Sequence, residues 1–400
     1  MKIPVKRFIE QFVELLIKTS GYTTSIIVLL IVVFLFKEGI SFLGESPIEH
    51  SYTLIGHEDN PVSELKDLEI KNVFDGKITN WKVMGGEDLP LSHFELSDLE
   101  SIYGKEALGK DLEFTHRFAV KLLDSLPGAL LFLPVSLLKD AKGFKTITAE
   151  KITLVHFLSG REWFPTSKPS AVFGALPLLL GTLVVSFFAI LLALPFGLAG
   201  SIYLAEIADM RIRNILKPII ELLSGIPSVV YGFFGLVIIV PWLQEMLQLP
   251  VGETALAGSV VLAIMALPTI ITVSEDAIRT TPRAMKEASL ALGASHWQTI
   301  RKVILPYASS GITAAVILGI GRAIGETMAV LMVTGNAAMM PTSLTQPVRT
   351  IPATIAAELG EASFGGQHFK ALFALGCMLF LITLATNFMV ERVSSKRKLK

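Results

Sequence analysis

The sequence predicts an all-α polytopic membrane protein with six transmembrane helices and a small α+β extracytoplasmic insertion. Of its 400 residues 52% are hydrophobic, and six segments are apolar over about the 20 residues that a helix needs to cross a bilayer. Its 35 basic and 35 acidic residues cancel overall but not locally: residues 43–172 hold 14 basic and 20 acidic residues, or −6, and the rest of the chain carries +6. This composition is not that of a soluble globular, disordered or nucleic-acid-binding protein.

The predicted elements follow in order along the chain. An N-terminal arm with an amphipathic helix at Phe8–Lys18 and the first transmembrane helix occupy residues 1–44, and we expect this helix to be retained rather than cleaved. The insertion spans residues 45–168, a five-helix core spans 169–392, and a basic tail spans 393–400. The six membrane spans are expected at Gly21–Phe42, Phe173–Ala205, Pro218–Leu243, Thr254–Ser274, Ser309–Thr334 and Phe369–Val390.

The basic residues of the short polar segments predict the orientation. Four lie in the N-terminal arm, three in residues 206–217, five in residues 275–306 and five after Val390, whereas residues 244–253 hold none and residues 335–368 hold one. Short cytoplasmic loops are enriched in Lys and Arg, while long loops translocate regardless of charge. Both termini are therefore expected in the cytoplasm, and residues 45–168 outside the cell membrane.

The polar segment at residues 280–306, called the 280–306 loop below, carries capping signals for two short helices. Thr281 is predicted to cap the first helix, with Pro282 at its first position, and Gly293 to end it in a left-handed conformation. Ser295 and Gln298 have the spacing of a capping box that begins the second helix. The pattern predicts a helix–turn–helix that projects from the membrane, with or without a function of its own.

Two charged residues, Arg322 and Glu326, lie one helical turn apart inside the predicted fifth span. Charges at this depth cost at least about 2.5 kcal/mol, so they face a partner or a water-filled path. Two interpretations remain open: an intrahelical ion pair that orders the bundle, or an anion path in which the planar guanidinium of Arg322 binds an oxyanion. Small residues four apart around these charges predict close approach of another helix.

The third span is interrupted by Ser224-Gly-Ile-Pro227. Pro227 removes a helical hydrogen bond, so a kink or break is predicted there. Broken helices commonly line substrate sites in transporters, although a kink that only serves packing is equally consistent with the pattern. Glu221, one turn earlier, is either buried or at the cytoplasmic interface.

The 280–306 loop contains Glu287-Ala-Ser, Gly293 and Ile304-Leu-Pro306, which resemble the EAA signature of ABC importer permeases, with Ser289 in place of the usual Ala. The resemblance implies the type I importer permease fold and a loop that docks on an ATPase subunit. It implies coupling roles for Glu287, Ala288, Gly293, Leu305 and Pro306. Because the chain has no phosphate-binding G-x-x-x-x-G-K-[ST] loop, we expect ATP and Mg²⁺ on a separate ATPase chain and no cofactor in this one.

Three further stretches, at residues 173–186, 216–235 and 319–330, resemble phosphate importer permeases of the PstC type. The resemblance implies a non-enzymatic transport subunit in the cell inner membrane. It implies a translocation path that includes Arg322, Glu326, Thr327, Gly225 and Pro227. The implied partners are a second permease of the PstA type, an ATPase dimer of the PstB type, a periplasmic phosphate-binding protein, inorganic phosphate and membrane lipid.

The insertion is longer than the equivalent loop of that family. Residues 73–81 and 127–136 resemble two stretches of the periplasmic phosphate-binding protein. The stretch between them, residues 91–103, is acidic and lacks a glycine-rich nest for an anion. The insertion is therefore expected to be a degenerate binding-protein-like domain that docks the carrier, gates the mouth of the path or acts as a spacer.

Other functions are less consistent with the sequence. A molybdate or sulfate permease would share the EAA signature but not the Gly-Arg-Ala-Ile-Gly-Glu span at 321–326. A membrane-anchored phosphate sensor would need a cytoplasmic signalling domain, whereas only ten residues follow Val390. No catalytic constellation is evident in the spans, the seven His residues are not spaced as metal ligands, and the single Cys, Cys377, excludes an intramolecular disulfide.

Overall fold

The computed structural model describes residues 3–49, 51–138 and 142–397, with side chains from residue 10 onward except at 390 and 393–397. Its contacts divide the chain into two units. The insertion unit comprises Leu43–Leu180 and Ala338–Pro341, and the transmembrane unit comprises the described residues up to Phe42, Gly181–Ala337 and those from Thr342 onward. The sequence-based boundaries of the insertion were residues 45 and 168. Of the predicted basic tail, residues 398–400 lie outside the described residues.

The helices and strands follow the chain in this order: α1 (Ile3–Ser41), β1 (Tyr52–Gly56), β2 (Glu64–Leu65), α2 (Asp67–Phe74), β3 (Ser92–Glu95), α3 (Leu96–Tyr103), α4 (Thr115–Ser125), β4 (Ala129–Pro134), β5 (Lys145–Ala149), α5 (Leu154–Ser159), β6 (Trp163–Phe164), β7 (Val172–Phe173), α6 (Leu176–Ile202), α7 (Met210–Ser224), α8 (Ser228–Phe234), α9 (Val240–Leu247), α10 (Ala255–Arg279), α11 (Arg283–Ala291), α12 (His296–Thr299), α13 (Leu305–Gly325), α14 (Met328–Val333), α15 (Ile351–Glu358) and α16 (Gln367–Arg397).

Six helical runs of the described chain are long and apolar enough to cross a membrane, which confirms the predicted number of spans. Spanning segments must satisfy their backbone hydrogen bonds internally, so helices are the expected form. The runs are Glu10–Ser41, Leu176–Ile207, Ser228–Leu247, Ala255–Arg279, His296–Gly325 and Gln367–Met389.

The helix predicted at Phe8–Lys18 is continuous with the first span, because α1 is one helix from Ile3 to Ser41. No proline lies between residues 5 and 46 to interrupt it. Lone glycines such as Gly21 cost only about 1 kcal/mol in a helix interior and do not end it.

Two of the predicted spans are broken helices, and this shifts their bounds. In the third, α7 ends at Ser224 and α8 begins at Ser228, so the long apolar run begins ten residues later than predicted. In the fifth, α13 ends at Gly325 and α14 begins at Met328. The second break was not predicted, because no proline marks it in the sequence.

Close packing of α13 on α10 uses the small residues that the sequence singled out. A Cβ on Gly311 would lie 2.3 Å from the Cβ of Ala277, and one on Gly319 would lie 3.1 Å from side-chain atoms of Ile270. Ala315, between them, is fully buried. A Cβ on Gly321 or Gly325, in contrast, would contact no described residue outside the nearby backbone of its own helix. Within the described chain, it is therefore the first set that packs against another helix.

The insertion unit contains a five-stranded mixed sheet in the order β2-β5-β1-β4-β3, with helices, which confirms the predicted small α+β insertion. Strand β1 pairs antiparallel with β4 and β5, while β2 and β3 pair parallel with their neighbours. Alternate residues of the sheet enter two separate cores: Leu54 and Leu130 in one, Ile55 and Leu131 in the other. Because both faces are covered, β4 is a continuous apolar run rather than an alternating one.

Within this unit, a buried ion pair ties α5 to α2. Nε2 of His156 lies 3.0 Å from Oδ2 of Asp67, which is 2% exposed. The hydrogen bond to Asp67 raises the pKa of His156 above its ordinary value, although burial acts in the opposite direction. A raised folded-state pKa contributes stability that is complete below the unfolded-state value of about 6.5 and is lost as the pH rises through the folded-state value.

We therefore expect the attachment of α5 to loosen as the pH rises above about 6.5. Hydrogen–deuterium exchange of the full chain, corrected for the intrinsic effect of pH, should increase over Leu154–Ser159 through this range. His156→Gln should lower the protection at acidic pH and remove the pH dependence. A variant that keeps the wild-type pH dependence would assign it to another group.

Candidate translocation and coupling site

The first helix of the 280–306 loop ends as the sequence predicted. Gly293 follows α11 with φ of 82°, the left-handed region that glycine adopts without strain. The N–H of Gly293 donates to the carbonyl of Leu290, and the N–H of Ala294 donates to that of Ser289. These two bonds form a Schellman motif, which closes the helix and turns the chain sharply.

The start of the second helix also confirms its prediction. The N–H of Gln298 donates to Oγ of Ser295 at 3.2 Å, and the N–H of Ser295 donates to the Gln298 side chain at 2.9 Å. The hydroxyls of Ser289 and Thr299 lie 2.9 Å apart and join the two helices. Ser289, the departure from the usual Ala, therefore supplies a bond across the turn.

The predicted cap at Thr281 is wrong. Pro282 occupies the cap position of α11 and no side chain caps the helix. The Thr281 side chain is 3% exposed and its Oγ1 has no hydrogen-bond partner among the described residues. The Thr281 side chain is thus buried in the protein and does not accept a hydrogen bond from the first turn of α11.

The outer surface of the loop is exposed and largely apolar. Glu287, Ala288, Gly293 and Pro306 are exposed, while Leu305 is partly buried against a core beneath the loop. Large apolar side chains lie beside Glu287 on this surface: Met285 (40% exposed), Leu290 (46%), Leu292 (90%) and Trp297 (59%). Exposed apolar side chains, with the charged residues Arg283 and Glu287 on the same helix, have the composition of a protein-docking surface.

Ion pairs that the sequence reasoning missed anchor the loop to its neighbours. Glu206, at the end of the α6 run, accepts a hydrogen bond from Nζ of Lys286, and its carbonyl lies 3.3 Å from Nε2 of His296. Glu206 is therefore bound to both helices of the loop. The pairing joins residues 80 positions apart, so no local spacing could have indicated it.

Glu275 forms a second network just before the loop. It is 1% exposed, and its carboxylate accepts from Arg213 at 2.7 Å, from Lys217 at 2.6 Å and from Arg279 at 3.3 Å. Lys217 also binds Asp276 at 2.9 Å. This network holds α7 against the end of α10. Glu221, on the same helix α7, is exposed.

The first break, at Gly225 and Pro227, confirms the predicted interruption. Both residues are exposed. The hydroxyl of Tyr231 on α8 donates to the carbonyl of Leu223 on α7 at 2.7 Å. The carbonyl of Leu223 also accepts from the N–H of Ile226 at 3.3 Å, so the tyrosine adds a second hydrogen bond to the end of α7 across the break. Sequence reasoning did not select Tyr231.

The second break separates Arg322 from Glu326. Glu326 has extended backbone geometry, and its Oε1 accepts from the N–H of Ala329 at 3.3 Å, so it caps α14 rather than continuing α13. Arg322 makes a single hydrogen bond among the described residues, to Oγ1 of Thr269 on α10 at 3.5 Å. No ion pair between Arg322 and Glu326 is present in the described chain. Thr327 lies in the break and is partly buried.

The two breaks lie at the same end of one packed helix pair. A Cβ on Gly232 of α8 would lie 2.9 Å from the Cα of Ala329 of α14, and one on Gly235 would lie 2.9 Å from Cγ1 of Val333. Because both residue numbers increase together along the contact, α8 and α14 run parallel, and each begins directly after its break. The structure thus brings Pro227 and the Glu326–Thr327 break, about 100 residues apart in sequence, to the same end of the pair.

The Glu275 network makes a prediction about stability. Glu275→Gln should lower the free energy of unfolding by about 3 kcal/mol, the lower end of the range for a broken buried ion pair, because its partners keep some solvent contact. Asp276→Asn is the control: its side chain is 62% exposed and, among the described residues, it forms an ion pair with Lys217 alone, so it should cost less than about 1 kcal/mol. Thermal unfolding of the isolated chain in detergent measures both, and equal losses would contradict the assignment.

Comparisons with known proteins support the same elements. The family model described as "Binding-protein-dependent transport system inner membrane component" matches residues 193–399, which contain both breaks and the 280–306 loop. The probable ABC transporter permease protein YqgH of Bacillus subtilis is 37% identical over 264 residues, 66% of this chain and 85% of that protein.

Two further relatives carry more specific names. The phosphate transport system permease protein PstC of Mesorhizobium japonicum is 37% identical over 263 residues, 60% of this chain and 79% of that protein. PstC 1 of Mycobacterium tuberculosis is 36% identical over 315 residues, 69% of this chain and 93% of that protein. With six apolar helices, an EAA-like loop and a family model that covers half of its length, the chain belongs to the inner membrane components of binding-protein-dependent transport systems.

Proposed function

We propose that this chain is the PstC-type permease subunit of an ATP-driven inorganic phosphate importer. The observation that carries the proposal is the match to relatives named phosphate transport permeases, which extends over 93% of one of them. Arg322 supports an anionic substrate, because its guanidinium has no carboxylate partner within the described chain. A planar guanidinium binds a tetrahedral oxyanion through two parallel hydrogen bonds.

The translocation path runs past the two helix breaks. Gly225 and Pro227 line one side, Arg322, Glu326 and Thr327 the other, and alternating access exposes them to each side of the membrane in turn. Irregular backbone at membrane depth is tolerated where it lines a cavity, which supports a path at this position. Glu326 shapes the break by capping α14, and Arg322 supplies the positive potential.

Coupling uses the mechanical continuity of the fifth span. His296–Gly325 is one helical run of 30 residues, about 45 Å long, that begins in the 280–306 loop and ends one turn after Arg322. A partner ATPase, which binds ATP and Mg²⁺, docks on the exposed surface around Glu287, Ala288 and Gly293. Movement of the loop then tilts the run, with Leu305 and Pro306 near its base, and displaces the path residues.

The topology follows from the distribution of basic residues. Both termini and the 280–306 loop face the cytoplasm, and residues 45–168 face outward. A PstA-type permease, a PstB-type ATPase dimer and a periplasmic phosphate-binding protein complete the importer. The insertion serves that carrier by docking it or by gating the mouth of the path, and its five-stranded sheet is large enough for either role.

Phosphate uptake by the reconstituted complex tests the path. Arg322→Gln should lower phosphate uptake by about tenfold to a hundredfold, the loss expected for one charge-assisted hydrogen bond of about 1.5–3 kcal/mol. Glu326→Gln should lower it as well. Arg211→Gln, a change at an exposed arginine on α7, is the matched control and should leave uptake intact. Wild-type uptake in Arg322→Gln would contradict the path, and sulfate or molybdate uptake in preference to phosphate would favour another oxyanion.

The docking surface has its own test. Glu287→Ala should reduce copurification of the ATPase and carrier-stimulated ATP hydrolysis by at least about tenfold while leaving the thermal stability of this chain unchanged, because Glu287 is exposed. Glu361→Ala, at an exposed glutamate between α15 and α16, is the control. Full ATPase recovery with Glu287→Ala would show that the docking surface lies elsewhere.

A further inference from the structure

The short helix α5, in the insertion unit, leaves one apolar face uncovered. Its inner face holds Phe157, which is 2% exposed, and His156, which binds Asp67. Leu154 is 54% exposed, Val155 74% and Leu158 38%. Residues at these spacings share one side of a helix, so the three side chains form a continuous apolar edge.

Backbone hydrogen bonds join the segment that carries α5 to residues next to two of the apolar runs. The N–H of Ala175 donates to the carbonyl of Phe157 at 2.8 Å, and the N–H of Leu176, the first residue of the second apolar run, donates to that of Gly160 at 3.2 Å. On the other side, the N–H of Gly44 donates to the carbonyl of Ile152 at 2.8 Å, and Gly44 follows the end of α1 by three residues. The chain segments adjoining two membrane-spanning helices are thus bonded to the segment that carries α5.

The charge around α5 differs from that of the rest of the insertion. Residues 151–168 contain three basic residues and one acidic residue, which gives +2, whereas the other residues of 43–172 contain 11 basic and 19 acidic residues, which gives −8. The basic residues, Lys151, Arg161 and Lys168, are all exposed. An apolar edge with basic residues beside it is the composition of a helix that lies in a membrane interface.

We propose that α5 is an interfacial helix whose Leu154, Val155 and Leu158 enter the boundary between headgroups and acyl chains of the adjoining leaflet. Lys151, Arg161 and Lys168 face anionic lipid headgroups. The occupant of this face is the lipid surface, because hydrogen bonds join the α5 segment to Ala175 and Leu176. The second membrane-spanning run begins at Leu176. The inference concerns this helix alone and does not depend on the transported substrate.

A fluorescent probe at Val155 tests the proposal in the assembled transporter. In a Cys377→Ala background, Val155→Cys is labelled with an environment-sensitive fluorophore and reconstituted into vesicles of neutral and anionic phospholipid. The matched control is Val83→Cys, because Val83 is 69% exposed. Val83 is two residues from Trp81, and Nε1 of Trp81 donates to the carbonyl of Gly128 at the start of β4. The chain that follows α1 enters the sheet at Tyr52, which pairs with Pro134 at the opposite end of β4. Val83 therefore lies near the end of β4 that is far from this entry.

Lipids that carry a nitroxide near the headgroup should quench the Val155 probe severalfold more than the Val83 probe, and aqueous iodide should show the opposite order. Adding Leu158→Asp to Val155→Cys should reduce the lipid quenching, since a charge at the interface is costly. Equal iodide access at the two positions would overturn the proposal. So would a Val155 probe shielded from iodide without lipid quenching, because a protein partner would then cover α5.

Discussion

The absence of water in the bilayer core is the constraint on which the transmembrane unit depends. Every backbone N–H and C=O must find a partner inside the protein, which favours helices and makes each interruption costly. The two breaks meet this requirement in different ways: the Tyr231 hydroxyl donates to a carbonyl of α7, and the Glu326 carboxylate accepts an N–H of α14. At each of the two breaks, a side chain thus supplies a hydrogen bond to the interrupted backbone.

The second break also determines how Arg322 and Glu326 are paired. Had α13 continued through Glu326, the carboxylate would lie one turn from Arg322 and would neutralise it. Because Glu326 caps α14 instead, the described chain contains no ion pair between Glu326 and Arg322. The same constraint therefore separates a positive and a negative group that the sequence spacing would have paired.

The extramembrane parts are built by different rules. The 280–306 loop is shaped by local hydrogen bonds at its turn, which leave an apolar surface outward. The insertion folds around a sheet with apolar side chains on both faces, as a water-soluble domain does. Glu206 forms an ion pair with Lys286 of the loop, and Glu275 joins α7 to the end of α10 through its ion pair with Lys217.

The sequence by itself determined the number of spans, the insertion, the interruption at Pro227 and the turn at Gly293. Each depends on hydropathy or backbone preference that is summed over neighbouring residues. Only the tertiary structure decided the break after Gly325, the burial of Thr281, the ion pairs of Glu206 and Glu275, and the parallel packing of α8 on α14. Each of these depends on which distant residue supplies a partner, and local sequence does not contain that information.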